Sequence, residues 1–144
     1  MTYAHRDHIF DADTHMMEPA YWLSEFADKK TKPFITPLGE KHPEALVKAE
    51  QALEAYHKRQ ADPQLLAELE ASFMSMAQKG FVSLGAFDRD ERKRINDLLG
   101  FDGHIVFPTT SFDQVQGATQ PDVFAGSVEA LNRGLHYFCE TDKR

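Results

Sequence analysis

Apolar residues recur along this chain with two different periods. From Asp7 to His15 the pattern alternates: Ile9, Asp11, Asp13 and His15 share one side, and His8, Phe10, Ala12 and Thr14 the other. A period of two belongs to a strand, so residues 7–13 are predicted as the first strand. "EPAYWLSEFADK" follows as a short helix with Pro19 in its first turn. "TKPFITPLGEKHP" holds three prolines and a glycine and reads as a loop. The period then becomes helical. Leu46, Ala49, Leu53 and Tyr56 share one face of a helix. Asp62 caps a second helix, with Pro63 at its first position, a stripe of Leu66, Leu69, Phe73 and Met76, and Gly80 to end it. These two helices are predicted to form a hairpin inserted over about residues 41–80.

The second half reads as helix, strand, helix. Asp88 and Glu91 have the spacing of a capping box, Ile95, Leu98 and Leu99 supply an apolar face, and Gly100 stops the helix. "HIVFP" is a short continuous apolar run, as in a strand covered on both faces. Phe124, Val128, Leu131, Leu135 and Phe138 then recur at spacings of four and three, predicting a last helix. Strands separated by helices argue for parallel pairing in an α/β fold.

Composition narrows the function classes. The chain has 144 residues and a formal net charge of −7, which disfavours non-specific binding to nucleic acid or to an anionic membrane. No run of about 18 apolar residues is present, so no membrane span is expected, and the first residues lack the apolar region of a secretory signal. Cys139 is the single cysteine, which excludes an intrachain disulfide and a CxxC zinc site. It follows Phe138 in the helical pattern and is expected as a small buried apolar side chain. A cytoplasmic location fits these features.

The candidate chemistry lies in "HIFDADTHMMEPAYW". Asp13-x-His15 puts a carboxylate and an imidazole on one side of a strand, and both are ligands for zinc or a similar divalent ion. The spacing alone is weak, and Asp102-x-His104 repeats it. Strand polarity separates the two pairs. Asp13 and His15 follow their apolar residues and so lie at the carboxyl end of a strand, where sites form in parallel α/β sheets. Asp102 and His104 precede theirs and are expected as a turn and cap feature. A structural hydrogen bond at the strand end is the competing reading of the first pair.

The residues around that pair carry a resemblance. "DADTHMMEPAYW", "GAFDRDERKRINDLLGFDGHIVFPT" and "ALNRGLHYFCETDKR" resemble, in order, three segments of the amidohydrolase-related family. That family includes aminocarboxymuconate-semialdehyde decarboxylase and many metal-dependent hydrolases. The resemblance implies a metal-dependent (β/α)8 barrel of which this chain is the N-terminal portion, with a helical insertion after the first strand. Asp13 and His15 match two metal ligands of the first strand, Asp13 standing where many relatives have histidine. Zinc is the implied cofactor, with manganese or another divalent ion as alternatives. Asp11 is read as a supporting carboxylate on the same face. Glu18 and Trp22 follow in the next loop and are candidates to line a substrate pocket, although Trp22 equally reads as a packing residue.

The implied activity is metal-assisted hydrolysis of a small-molecule substrate, with non-oxidative decarboxylation as the alternative and a non-catalytic remnant as a third reading. The full-length protein is expected to be a homo-oligomer. A barrel needs about 250 residues. A later histidine ligand and a strand-eight aspartate of the family have no counterpart in this sequence. The chain is therefore expected to be inactive alone, in a reading frame that continues past Arg144.

Overall fold

The computed structural model of the chain describes residues 8–74 and 84–144. Two strands, β1 (Phe10–His15) and β2 (Gly103–Phe107), pair in parallel as one two-stranded sheet. The expected first strand is displaced toward its carboxyl end, and Asp102 explains where it begins. The Ile9 amide donates to Asp102 Oδ2 at 2.8 Å, and the Asp102 amide donates to the Ile9 carbonyl at 2.8 Å. Pairing starts directly after this clamp, with Phe10 beside Gly103.

The alternation of β1 is broken by a bulge. Asp11 pairs with His104 but Thr14 with Val106, so three steps on β1 match two on β2. The Asp13 amide turns inward to donate to Asp11 Oδ1 at 3.0 Å. One extra residue reverses which face a side chain takes. Asp11 and Thr14 therefore lie with Val106 on the helix-covered face, and His15 lies with Phe107 on the other. This corrects the expectation that Asp11 shares a face with Asp13 and His15.

Local chemistry accounts for the helix boundaries. α1 (Trp22–Phe26) starts only after Pro19, so the proline precedes the helix instead of lying in its first turn. A short 3-10 turn follows at Lys32–Phe34. α2 (Pro43–Ala61) and α3 (Pro63–Met74) form the inserted hairpin, and Asp62 Oδ1 accepts from the amides of Gln64 and Leu65 as an N-cap should. The expected end of α3, with Met76 and Gly80, lies outside the described residues. α4 (Arg89–Leu99) is capped by Asp88, which accepts from the Glu91 amide at 2.9 Å, and it ends at Gly100 with φ 76°. Only half of the capping box forms, because the Glu91 side chain turns away to other partners. α5 (Thr110–Gly117) had no signal in the hydrophobic pattern, and α6 (Pro121–Glu140) closes the chain.

The core lies between the sheet, α1 and α6. Met16, Trp22, Leu23, Val115, Ala130, Leu131 and Phe138 form it, with Val106 packed alongside. α6 approaches closely because it carries glycines where its neighbours press: a Cβ at Gly134 would stand 2.2 Å from the Trp22 ring. This geometry rotates Phe124 out of the expected stripe to 45% exposure and substitutes Val123. Cys139, next to Phe138 in the last turn of α6, is exposed rather than buried. β2 is covered on one face only. Ile105 is 58% and Phe107 41% exposed, with Phe10 at 72%, because no layer packs on that side of the sheet among the described residues.

The insertion is tied to the α/β unit by a buried ion pair. Arg59, on α2, donates Nε–H and Nη2–H to the two oxygens of Glu91 at 3.2 and 2.9 Å. Glu91 also accepts from the Gly85 amide at 3.0 Å and from Gln60. A bidentate guanidinium–carboxylate pair with its remaining lone pairs satisfied is the favourable form of a buried charge. Removing one partner strands the other: Arg59→Met should lower stability by about 3–5 kcal/mol, read as a reduced urea midpoint. An unchanged midpoint would show that the insertion is anchored elsewhere.

Candidate functional site

The carboxyl ends of β1 and β2 lie side by side, and the polar residues of the opening stretch gather there. Asp13 Oδ1 stands 3.3 Å from His15 Nε2, and both side chains are open to solvent. The other ring nitrogen, His15 Nδ1, is 3.1 Å from Thr109 Oγ1, just beyond β2. The ring also rests near the Phe107 ring, with centroids 5.7 Å apart. The hydroxyl can accept from Nδ1–H, which leaves the Nε2 lone pair facing the carboxylate. A histidine oriented through one nitrogen and available through the other is the usual arrangement of a metal ligand. Two donors held by one tetrahedral ion at about 2.0–2.1 Å stand about 3.3–3.4 Å apart, so this separation fits a shared divalent ion. It fits equally a direct carboxylate–imidazolium contact. Among the described residues, no group of three or more histidine, cysteine or acidic side chains is placed to hold a metal.

Glu18 does something different from lining a pocket. It is fully buried, and its Oε2 accepts from the Thr109 and Thr110 amides at 3.1 and 3.0 Å and from the Thr110 hydroxyl at 2.9 Å. The same hydroxyl oxygen stands 2.7 Å from the Glu18 carbonyl, so its one proton is shared between the two acceptors. α5 has no side-chain cap of its own, so a carboxylate from the β1 loop satisfies its first amides. Glu18 thereby fixes Thr109, and Thr109 fixes the His15 ring. Trp22 is 5% exposed in the core, 4.8 Å from the Phe26 ring, and presents no open face to a substrate.

Two partly buried groups set the electrostatics beneath the strands. The Arg92 guanidinium donates to the His15 carbonyl at 2.8 Å, and burial lowers its pKa to about 10 despite attraction from Asp11. His104 is held below the usual imidazole range by burial first and then by the Arg92 charge. Its Nε2 contacts Asn96 Nδ2 at 3.2 Å, so it accepts there as a neutral ring. The second Asp-x-His pair is thus a strand-entry clamp and a packed imidazole, at the opposite end of the sheet from Asp13 and His15.

Beside Thr109 lies a cleft of about 240 Å³, walled by Met17, Ala45, Thr109 and Asp113 and by His42 from the loop before α2. His42 Nε2 is 3.6 Å from Asp113 Oδ1, and its Nδ1 is 3.5 Å from Glu44. The hydrophobic pattern singled out none of Thr109, His42, Asp113 or Arg92. Thr109 had one usable signal: a threonine directly after a strand and a proline, where N-caps occur. No family model, curated protein or solved structure matches this chain.

Removing the Glu18 carboxylate leaves buried donors without an acceptor, each costing on the order of 1–3 kcal/mol. Glu18→Ala should therefore lose several kcal/mol in urea unfolding, and Glu18→Gln, which keeps an acceptor oxygen, clearly less. Equal and small losses for the two variants would contradict a latch at the start of α5.

Proposed function

We propose that this chain is the N-terminal part of a metal-dependent hydrolase of the amidohydrolase-related type, with Asp13 and His15 as two protein ligands of a divalent ion, zinc by preference. The observation that carries the reading is the convergence of Asp13 Oδ1 and His15 Nε2 to 3.3 Å at the carboxyl end of a parallel strand. Side chains at that end serve as sites across parallel α/β folds. An open, apolar sheet face at Phe10, Ile105 and Phe107 further supports a larger sheet or barrel around these two strands.

The residues divide the work simply. Asp13 brings negative charge, which offsets part of the charge of a divalent ion. His15 offers Nε2, while Thr109 holds the ring from behind and Glu18 holds Thr109. A divalent ion bound there supplies a water of lowered pKa or a polarised substrate oxygen. The adjoining cleft, with an apolar floor at Met17 and Ala45 and a polar rim at His42 and Asp113, is the space for a small substrate.

Catalytic zinc sites use three protein ligands, so the purified chain should retain less than one equivalent of zinc. Calorimetric titration should show weak binding that Asp13→Ala and His15→Ala each abolish. The chain alone should turn over neither ester and amide substrates nor carboxylated aromatics. A full equivalent of zinc retained by His15→Ala would contradict the assignment.

A further inference from the structure

We propose that Arg92 is the positioning residue of the Asp13–His15 pair, an inference that rests on reading the pair as metal ligands. Arg92 projects from α4 to the helix-covered face of the sheet, near the Phe138 ring at 5.4 Å. Its three hydrogen bonds reach three different places. Nε–H donates to the Gly85 carbonyl at 2.7 Å, Nη2–H to the His15 carbonyl at 2.8 Å, and Nη1–H to Thr14 Oγ1 at 3.4 Å. The Thr14 hydroxyl in turn donates to Asp11 Oδ2 at 3.2 Å, and Asp11 Oδ1 accepts from the Asp13 amide at 3.0 Å. One guanidinium therefore holds both sides of the bulge. It reaches the Asp13 backbone through Thr14 and Asp11, and the His15 backbone directly.

The choice of arginine needs this explanation. A partly buried cation whose hydrogen bonds go to two carbonyls and a hydroxyl, and to no carboxylate, carries a desolvation penalty. Methionine or leucine would fill the space beside Phe138 without it. A planar fork of donors reaches three separate acceptors at once, which a lysine ammonium at the end of a flexible stem does not. Gly85 lets α4 come this near: its φ is +70°, and a Cβ there would stand 2.8 Å from the Arg92 Cα. Arg92 fixes where the backbones of residues 13 and 15 sit relative to each other, and so the separation of the two donor atoms.

The test uses the 144-residue chain, with zinc alone as the probe. Zinc affinity is measured by competition with a chromophoric chelator, and the His15 ring to Asp13 Cβ-proton contact by the nuclear Overhauser effect. Arg92→Met should weaken zinc by about tenfold or more, the range seen when an outer partner of a metal ligand is lost, and should diminish the contact. Arg92→Lys should recover thermal stability but not zinc affinity, which a merely structural role would not separate. Thr14→Val cuts only the Thr14 relay, and should weaken zinc in a chain that folds even where Arg92→Met does not. Wild-type zinc affinity and contact in folded Arg92→Met, or in Thr14→Val should Arg92→Met not fold, would overturn the proposal. Should the wild-type chain bind no zinc, the metal reading fails on its own, and the His15–Asp13 contact in the same variants decides the role of Arg92.

Discussion

A single buried carboxylate joins the two ends on which everything else in this molecule is arranged. Glu18 leaves β1 three residues after its end and closes on the first amides of α5, just past β2. Those amides have no acceptor inside their own helix, and a buried carboxylate needs donors. The two requirements meet at Oε2, while the buried Oε1 has no hydrogen-bond partner among the described residues. The bond ties the loop after one strand to the loop after the next, so the carboxyl edge of the sheet is held where a parallel pair is least constrained by its own ladder. Thr109 is fixed in that edge, and His15 Nδ1 reaches Thr109. The orientation of the His15 imidazole is therefore a consequence of Glu18.

A second set of polar contacts acts from the opposite side. The bulge in β1 moves Asp11 and Thr14 beneath the sheet, where Arg92 collects them, and leaves Asp13 and His15 at the open end. Charge is thus layered across the strand end: a cation below, acidic groups through the bulge, and an imidazole above. The helical insertion is fastened independently, through Arg59 and Glu91, and contributes His42 to the cleft wall.

The sequence was legible wherever structure is decided by near neighbours. Asp62-Pro63, Asp88 and Gly100 announce helix ends because caps and left-handed turns are built within a few residues. Parallel pairing followed from the order of elements. The bulge was not legible, because a strict two-residue alternation in β1 conceals an extra residue that shows only against β2. Glu18 was assigned to a pocket because its donors lie more than 90 positions away. Arg92 carried no signal in the hydrophobic pattern, since its partners at His15 and Thr14 are equally remote in sequence. Residues 110–117 lack a continuous apolar stripe, and their helix begins from a cap borrowed from another loop. The expected burial of β2 on both faces depended on layers that two strands do not supply.

The central claim is that Asp13 and His15 act together on one ion. The most direct measurement is anomalous diffraction at the zinc edge from crystals of the chain soaked in zinc. The account predicts a peak within bonding distance, about 2.0–2.2 Å, of both Asp13 Oδ1 and His15 Nε2. No peak at that position, with His15 Nε2 hydrogen-bonded directly to the Asp13 carboxylate, would contradict it and leave the pair as a structural contact at the end of a strand.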